Sequence, residues 1–271
     1  AGYALALGSI ALLVAAGWRA GLLCAAGGAM IGSVFVHRAL AGMDDRKPAG
    51  ACPSPLRGMA DLRRNPAALG CIGAYTAHCW ELLGMWAWLP AFVTAAAAAA
   101  AGADPIVAGA SGIAVAGLSH LVSAAGSVAG GSLSDRYGRA AVMMFATMAS
   151  LACSFAFGWL YAAPLWLLAG FALVYNLAAI ADSSVYSTAL AEVVPAQSIG
   201  VAYSLRSLTG FAAGALAPWV FGLALDAGRR WWGDSVSAWA LAWTSLAAGG
   251  LAGPLLIVHY RRHAGRCPVS G

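Results

Sequence analysis

Charge is what this sequence has least of. Asp, Glu, Lys and Arg together make up 9% of it, against roughly a quarter in a soluble domain, so the chain cannot cover a water-facing surface. Hydrophobic residues account for 61% and mean hydropathy is +0.77. The solvent this composition fits is lipid. The formal charge of +5 then reads as membrane topology rather than as nucleic-acid binding. Other absences narrow the reading. The six cysteines (Cys24, Cys52, Cys71, Cys79, Cys153 and Cys267) contain no C-x-x-C pair. Four of them lie in apolar stretches, which fits packing residues or free thiols and not a disulfide framework. There is no G-x-x-x-x-G-K-S/T loop to support ATP-driven work. No nucleophile–base or metal constellation stands out, so the expectation is a protein that is not an enzyme and uses no cofactor and no metal. Neither a basic n-region nor a small-residue cleavage site is evident at the start. Because the first residues, from Ala1, are already apolar, residues 1–271 are expected to be the C-terminal part of a longer protein.

What is present is a series of apolar runs. A spanning helix needs about 20 mostly apolar residues, and eight runs qualify: 1–17, 19–39, 67–94, 105–128, 140–161, 163–192, 199–226 and 235–259. Asn65-Pro66 and Asp104-Pro105 each place a capping side chain before a proline at the first helical position. Asp234-Ser235 is a third candidate cap. The one long polar connection, 40–65, carries Asp44, Asp45, Arg46, Lys47 and three prolines, and separates two spans from six.

Between the fourth and fifth runs lies Gly-Gly-Ser-Leu-Ser-Asp-Arg-Tyr-Gly-Arg, residues 130–139, which reads as a short charged hairpin. If it is cytoplasmic, Arg38, Arg46, Lys47, Arg57, Arg63, Arg64, Arg136, Arg139, Arg261, Arg262 and Arg266 share its side. Arg19, Arg229 and Arg230 lie opposite. Eleven against three is a positive-inside asymmetry. Gly131, Leu133, Asp135, Arg136, Gly138 and Arg139 at this spacing resemble the G-x-L-x-D-R-x-G-R-R/K loop of the major facilitator superfamily. Only the last basic position departs, being Ala140. Gly17-Trp18-Arg19 and Glu192-Val193-Val194-Pro195 resemble the same family.

The resemblance implies an all-α polytopic helical bundle, with these eight spans as the fifth to twelfth helices of two six-helix halves. On it, 1–39 holds the last two helices of the N-terminal half and 40–65 the cytoplasmic linker. Residues 66–260 form the C-terminal half and 261–271 a cytoplasmic tail. It further implies a secondary active transporter that works by alternating access, with the 130–139 loop as a cytoplasmic conformational latch. Such a protein would be multi-pass in the plasma or bacterial inner membrane, functional as a monomer when full length, and partnered by a small-molecule solute, protons and the lipid bilayer. The reading from another class is a non-transporting membrane sensor or receptor that reuses the fold.

Ionisable residues inside a membrane are expensive and mark cavities or partners. There are five: His78, Glu81, His120, Asp182 and Arg206. They fall on the spans that the resemblance places beside the central pathway. Glu81 lies near the bilayer midplane, where a carboxylate is disfavoured in its charged form. A proton-coupling group needs that property, and His78, one turn back, could share the proton. The alternative is a permanently protonated Glu81 bonded to backbone. Counting about 1.5 Å per residue, Asp182 and Arg206 both sit about 12–15 Å below the cytoplasmic surface, so an Asp182–Arg206 ion pair is expected, either purely structural or with an anion-binding or gating role. Trp80, with Trp86 and Trp88, lines a substrate cavity or faces lipid. His120 is a packing histidine or a relay, and Tyr175, Asn176 and Tyr186 are candidate hydrogen-bonding groups. Cys71, His78, Cys79 and Glu81 lie on one helix, which cannot supply a closed metal site.

Overall fold

In the computed structural model, residues 18–41, 55–100 and 104–265 are described. The expected first span, the middle of the inter-half linker, Cys52 and Cys267 lie outside them. The described residues form helices α1 (Trp18–Leu40), α2 (Pro55–Arg63), α3 (Pro66–Ala99), α4 (Pro105–Tyr137), α5 (Arg139–Phe157), α6 (Leu165–Ala181), α7 (Ser183–Val193), α8 (Ile199–Trp232), α9 (Val236–Gly250) and α10 (Ala252–Ala264). Together they provide seven segments long and apolar enough to cross a membrane. α2 is a short helix within what reads as polar linker.

The expected caps form. The Asn65 side chain accepts from the Ala68 N–H at 3.0 Å, while its amide donates to the Val193 carbonyl at 2.7 Å, which ties the start of α3 to the end of α7. Asp104 accepts from Ile106 and Val107. At the last span Ser235 caps, accepting from Ala238. Asp234 instead accepts from Tyr161, Arg229 and Trp239, joining three outer segments.

Three elements differ from the expectation. Residues 130–137 are not a hairpin, because α4 continues helically to Tyr137 and only Gly138 breaks it, at φ 89°. The 163–192 run is not continuous: Asp182 interrupts it between α6 and α7. The last run breaks at Leu251, between α9 and α10. Pro254 lacks an N–H and crowds the carbonyl four residues back, that of Gly250, so the break follows from the sequence.

α3–α10 pack into one bundle around two apolar clusters. At one end of the bundle Phe92, Phe157, Phe221, Trp239 and Trp243 interlock. At the other, Cys71, Met143, Leu190, Ala202 and Tyr260 form the second cluster. On each helix the interval between the clusters holds the exceptions: Glu81 on α3, Thr147 and Ser150 on α5, and the breaks at Asp182 and Leu251. Large apolar side chains such as Phe145 (77% exposed) and Leu255 point outward, as lipid-facing groups do.

Candidate functional site

The layer between the clusters is a buried polar network. Glu81 is 4% exposed and Asp182 1%. The Ser150 hydroxyl donates to Glu81 Oε2 at 3.0 Å and the Tyr175 hydroxyl to Oε1 at 3.2 Å. Ser150 also reaches the Thr147 carbonyl, at 3.1 Å. The Thr147 hydroxyl donates to Asp182 Oδ2 at 3.1 Å and lies 3.3 Å from the Tyr186 hydroxyl. On the other side of Asp182, His78 Nδ1 is 3.0 Å from Oδ1. The His78 ring packs against Tyr75 and Tyr186, with centroids at 5.8 and 5.4 Å. Thr147 therefore touches both halves of the network, one through its carbonyl and one through its hydroxyl. A buried acid is costly unless hydrogen-bonded, and here every carboxylate oxygen has a neighbour.

Helix geometry explains the assembly. His78 and Glu81 are three residues apart on one face of α3, and Thr147 and Ser150 have the same spacing on α5. Asp182, at φ −92° and ψ −7°, is the one residue between α6 and α7 and is 1% exposed.

Two expectations are corrected here. Asp182 does not pair with Arg206; its partners are His78 and Thr147. The two side chains leave their helices in different directions. Nor do His78, Glu81 and Asp182 line an open pathway. They are buried within the six-helix body and hydrogen-bonded toward α5. His78 and Glu81 do not bond to each other directly, and connect through Asp182, Thr147 and Ser150. Thr147 and Ser150 went unnoticed in the sequence because small hydroxyls are ordinary in membrane helices. Their i, i+3 spacing opposite a buried acid was the available signal.

The remaining candidates lie apart. His120 packs edge-on to Trp86, with centroids 4.8 Å apart. Trp86 donates to Asn176, which donates to Ser119, a second small polar cluster joining α3, α4 and α6. Trp80 lies against α9: a Cβ on Gly249 would come within 2.1 Å of its Nε1. It borders a shallow groove of about 530 Å³ with Leu205, Thr209 and Leu256. Cys71 donates to the Tyr186 carbonyl. Among the described residues no three His, Cys, Asp or Glu side chains converge to hold a metal.

Arg206, on α8, has a separate setting. Its Nη1 donates to the Ser187 hydroxyl at 2.6 Å, and its guanidinium carbon lies 4.4 Å from the centre of the Tyr75 ring and 4.6 Å from that of Tyr203. Tyr203 in turn donates to the Ser187 carbonyl at 2.7 Å. Nε is buried without an acceptor. An arginine at a spanning-helix centre costs about 2.5–3.5 kcal/mol on insertion scales, and a cation–π contact returns about 0.5–2 kcal/mol.

At the turn between α4 and α5, Arg139 holds three elements together. It donates to Asp135 and Ser134 at the end of α4, and through Nε (3.1 Å) and Nη2 (2.9 Å) to Glu192 at the end of α7. Gly138, between the paired residues, supplies the turn. Gly131 lies near Ser184, while Leu133 and Arg136 point outward.

A description of the Major Facilitator Superfamily matches residues 1–218. No curated protein matches the chain significantly. The family match covers well over half of the sequence, and the helical, strand-free bundle of the described residues agrees with it. Members of this family move small solutes across membranes, and a multi-pass membrane protein is what the seven apolar segments describe. The chain belongs to the major facilitator superfamily.

Proposed function

We propose that this chain is the C-terminal portion of a proton-coupled secondary active transporter that works by alternating access in the plasma or bacterial inner membrane. Residues 1–39 supply the end of the N-terminal half, 40–65 the linker, 66–260 the C-terminal half and 261–271 a tail. The complete protein acts as a monomer. The observation that carries the reading is Glu81, sequestered between the hydroxyls of Ser150 and Tyr175 in a layer that also holds the His78–Asp182 pair. Three titratable groups joined through one threonine residue give a place to hold a proton within the membrane. Asp182 sits at a helix break, so a change of charge there acts on a point that is already mechanically weak.

The test is flux. The complete gene product is reconstituted in vesicles holding a pH-sensitive dye, and a panel of small solutes is added under an imposed pH gradient. Solute entry accompanied by proton movement is the expected result. Solute entry without proton movement removes the coupling, and no movement of any solute overturns the transport reading.

The knot at Arg139 is proposed as the latch between cytoplasmic helix ends. Asp135 is 69% exposed on its side chain, so its pairing contributes about 1 kcal/mol or less. Asp135→Asn is therefore expected to lower turnover severalfold with solute affinity unchanged, read from initial rates across solute concentrations. Unaltered turnover would remove the latch.

A further inference from the structure

Arg206 is a cation within a spanning helix that has no counter-charge among the described residues. Among the described residues no carboxylate lies at ion-pair distance from it. The two acids of the middle layer are committed elsewhere, Asp182 to His78 and Thr147, and Glu81 to Ser150 and Tyr175. A guanidinium carries five N–H donors, and here Ser187 takes one. Aromatic faces soften the cost of the charge without accepting a hydrogen bond. The setting is nevertheless built: Tyr203 is fixed by its bond to the Ser187 carbonyl, and Ser187 then orients Arg206. Three elements, α3, α7 and α8, converge on one planar cation and leave most of its donors free.

A planar fork of N–H groups matches a carboxylate, which it binds through two parallel charge-assisted hydrogen bonds. The number of charges limits the ligand. Of the two histidines deep in the α3 and α4 spans, His78 is held by Asp182 and His120 packs on Trp86; neither shares this cradle. The Tyr75 and Tyr203 rings add flat, weakly polar walls that suit a compact organic body. Resting on the transport reading above, we propose that Arg206, with Ser187, Tyr75 and Tyr203, binds the carboxylate of a small organic monoanion, and that this class of anion is the transported solute.

The experiment compares acids with their neutral isosteres. Binding to the purified complete gene product is measured for benzoate against benzamide, and for lactate against lactamide, at constant ionic strength with chloride as the background anion. At least one acid is expected to bind tenfold or more tighter than its amide. That preference should vanish in Arg206→Gln and survive in part in Arg206→Lys, which keeps the charge and loses the fork. Acids and amides of equal affinity in the wild-type protein would overturn the proposal without recourse to any variant. So would an acid preference that persists in monodisperse Arg206→Gln protein. Vesicle flux with the same compounds separates the two readings. An acid that binds through Arg206 but does not cross leaves the anion site standing and removes the transport reading. Flux of cationic or neutral solutes without any acid preference leaves transport standing and removes the anion site.

Discussion

Glu81→Gln is expected to abolish accumulation of solute driven by a pH gradient, by tenfold or more, while solute exchange at equal concentrations continues. Glutamine keeps the shape of the side chain and one carbonyl-type acceptor, so at least one of the hydroxyls of Ser150 and Tyr175 that meet at Glu81 retains a partner. What it cannot do is gain or lose a proton. Counterflow of labelled solute in vesicles, measured beside gradient-driven uptake, reads the two properties apart, and undiminished uptake in the variant would take the coupling role from Glu81. Glu81→Ala is the less informative change. It leaves the buried Tyr175 hydroxyl without its acceptor, at about 1–3 kcal/mol, and opens a cavity beside Ser150, which keeps the Thr147 carbonyl, so loss of folded protein would mask loss of coupling.

The second large effect concerns packing. A methyl group at Gly130 would lie 1.7 Å from the Ala181 carbonyl oxygen and 2.6 Å from its carbon. The obstacle is backbone, which has no rotamer to change, and it immediately precedes the break at Asp182. Gly130→Ala is expected to force α4 away from α6 and to lower the thermal midpoint of the purified protein substantially. Overpacking costs typically about 1–3 kcal/mol, and more where neighbours cannot yield. The adjacent Gly131→Ala is the control, since its nearest neighbour is Ser184 Oγ at 3.8 Å, ordinary contact distance. A midpoint unchanged in Gly130→Ala would show that α4 and α6 can separate without cost. Of the two glycines, the one in the family pattern is the roomy one; the crowded one lies just outside it.

Helix number and order within the described residues were legible because length and hydropathy settle which segments cross a membrane. The interruptions were not. Asp182 breaks a run that reads as continuous because hydropathy averages over a window and is blind to the hydrogen bonds of one residue. Leu251 breaks another although Pro254 signalled a bend. Conversely, Ser132, Ser134, Asp135 and Arg136 look like loop, yet α4 carries them as helix because its end is held by Arg139. At the site, His78, Glu81 and Asp182 stood out as charges in apolar runs. Helical rise does not give their direction around the helix axis, and that direction decides that Asp182 meets His78 and not Arg206.

The single non-helical residue between α4 and α5 has a mechanical consequence. A tether of one residue has no slack. Gly138, at φ 89°, a region where side chains other than hydrogen are strained, is the whole of it, and Arg139 cross-links its two ends to α7. On the transport reading, a displacement at the Glu192 end of α7 is therefore passed through Arg139 to α4 and α5 together.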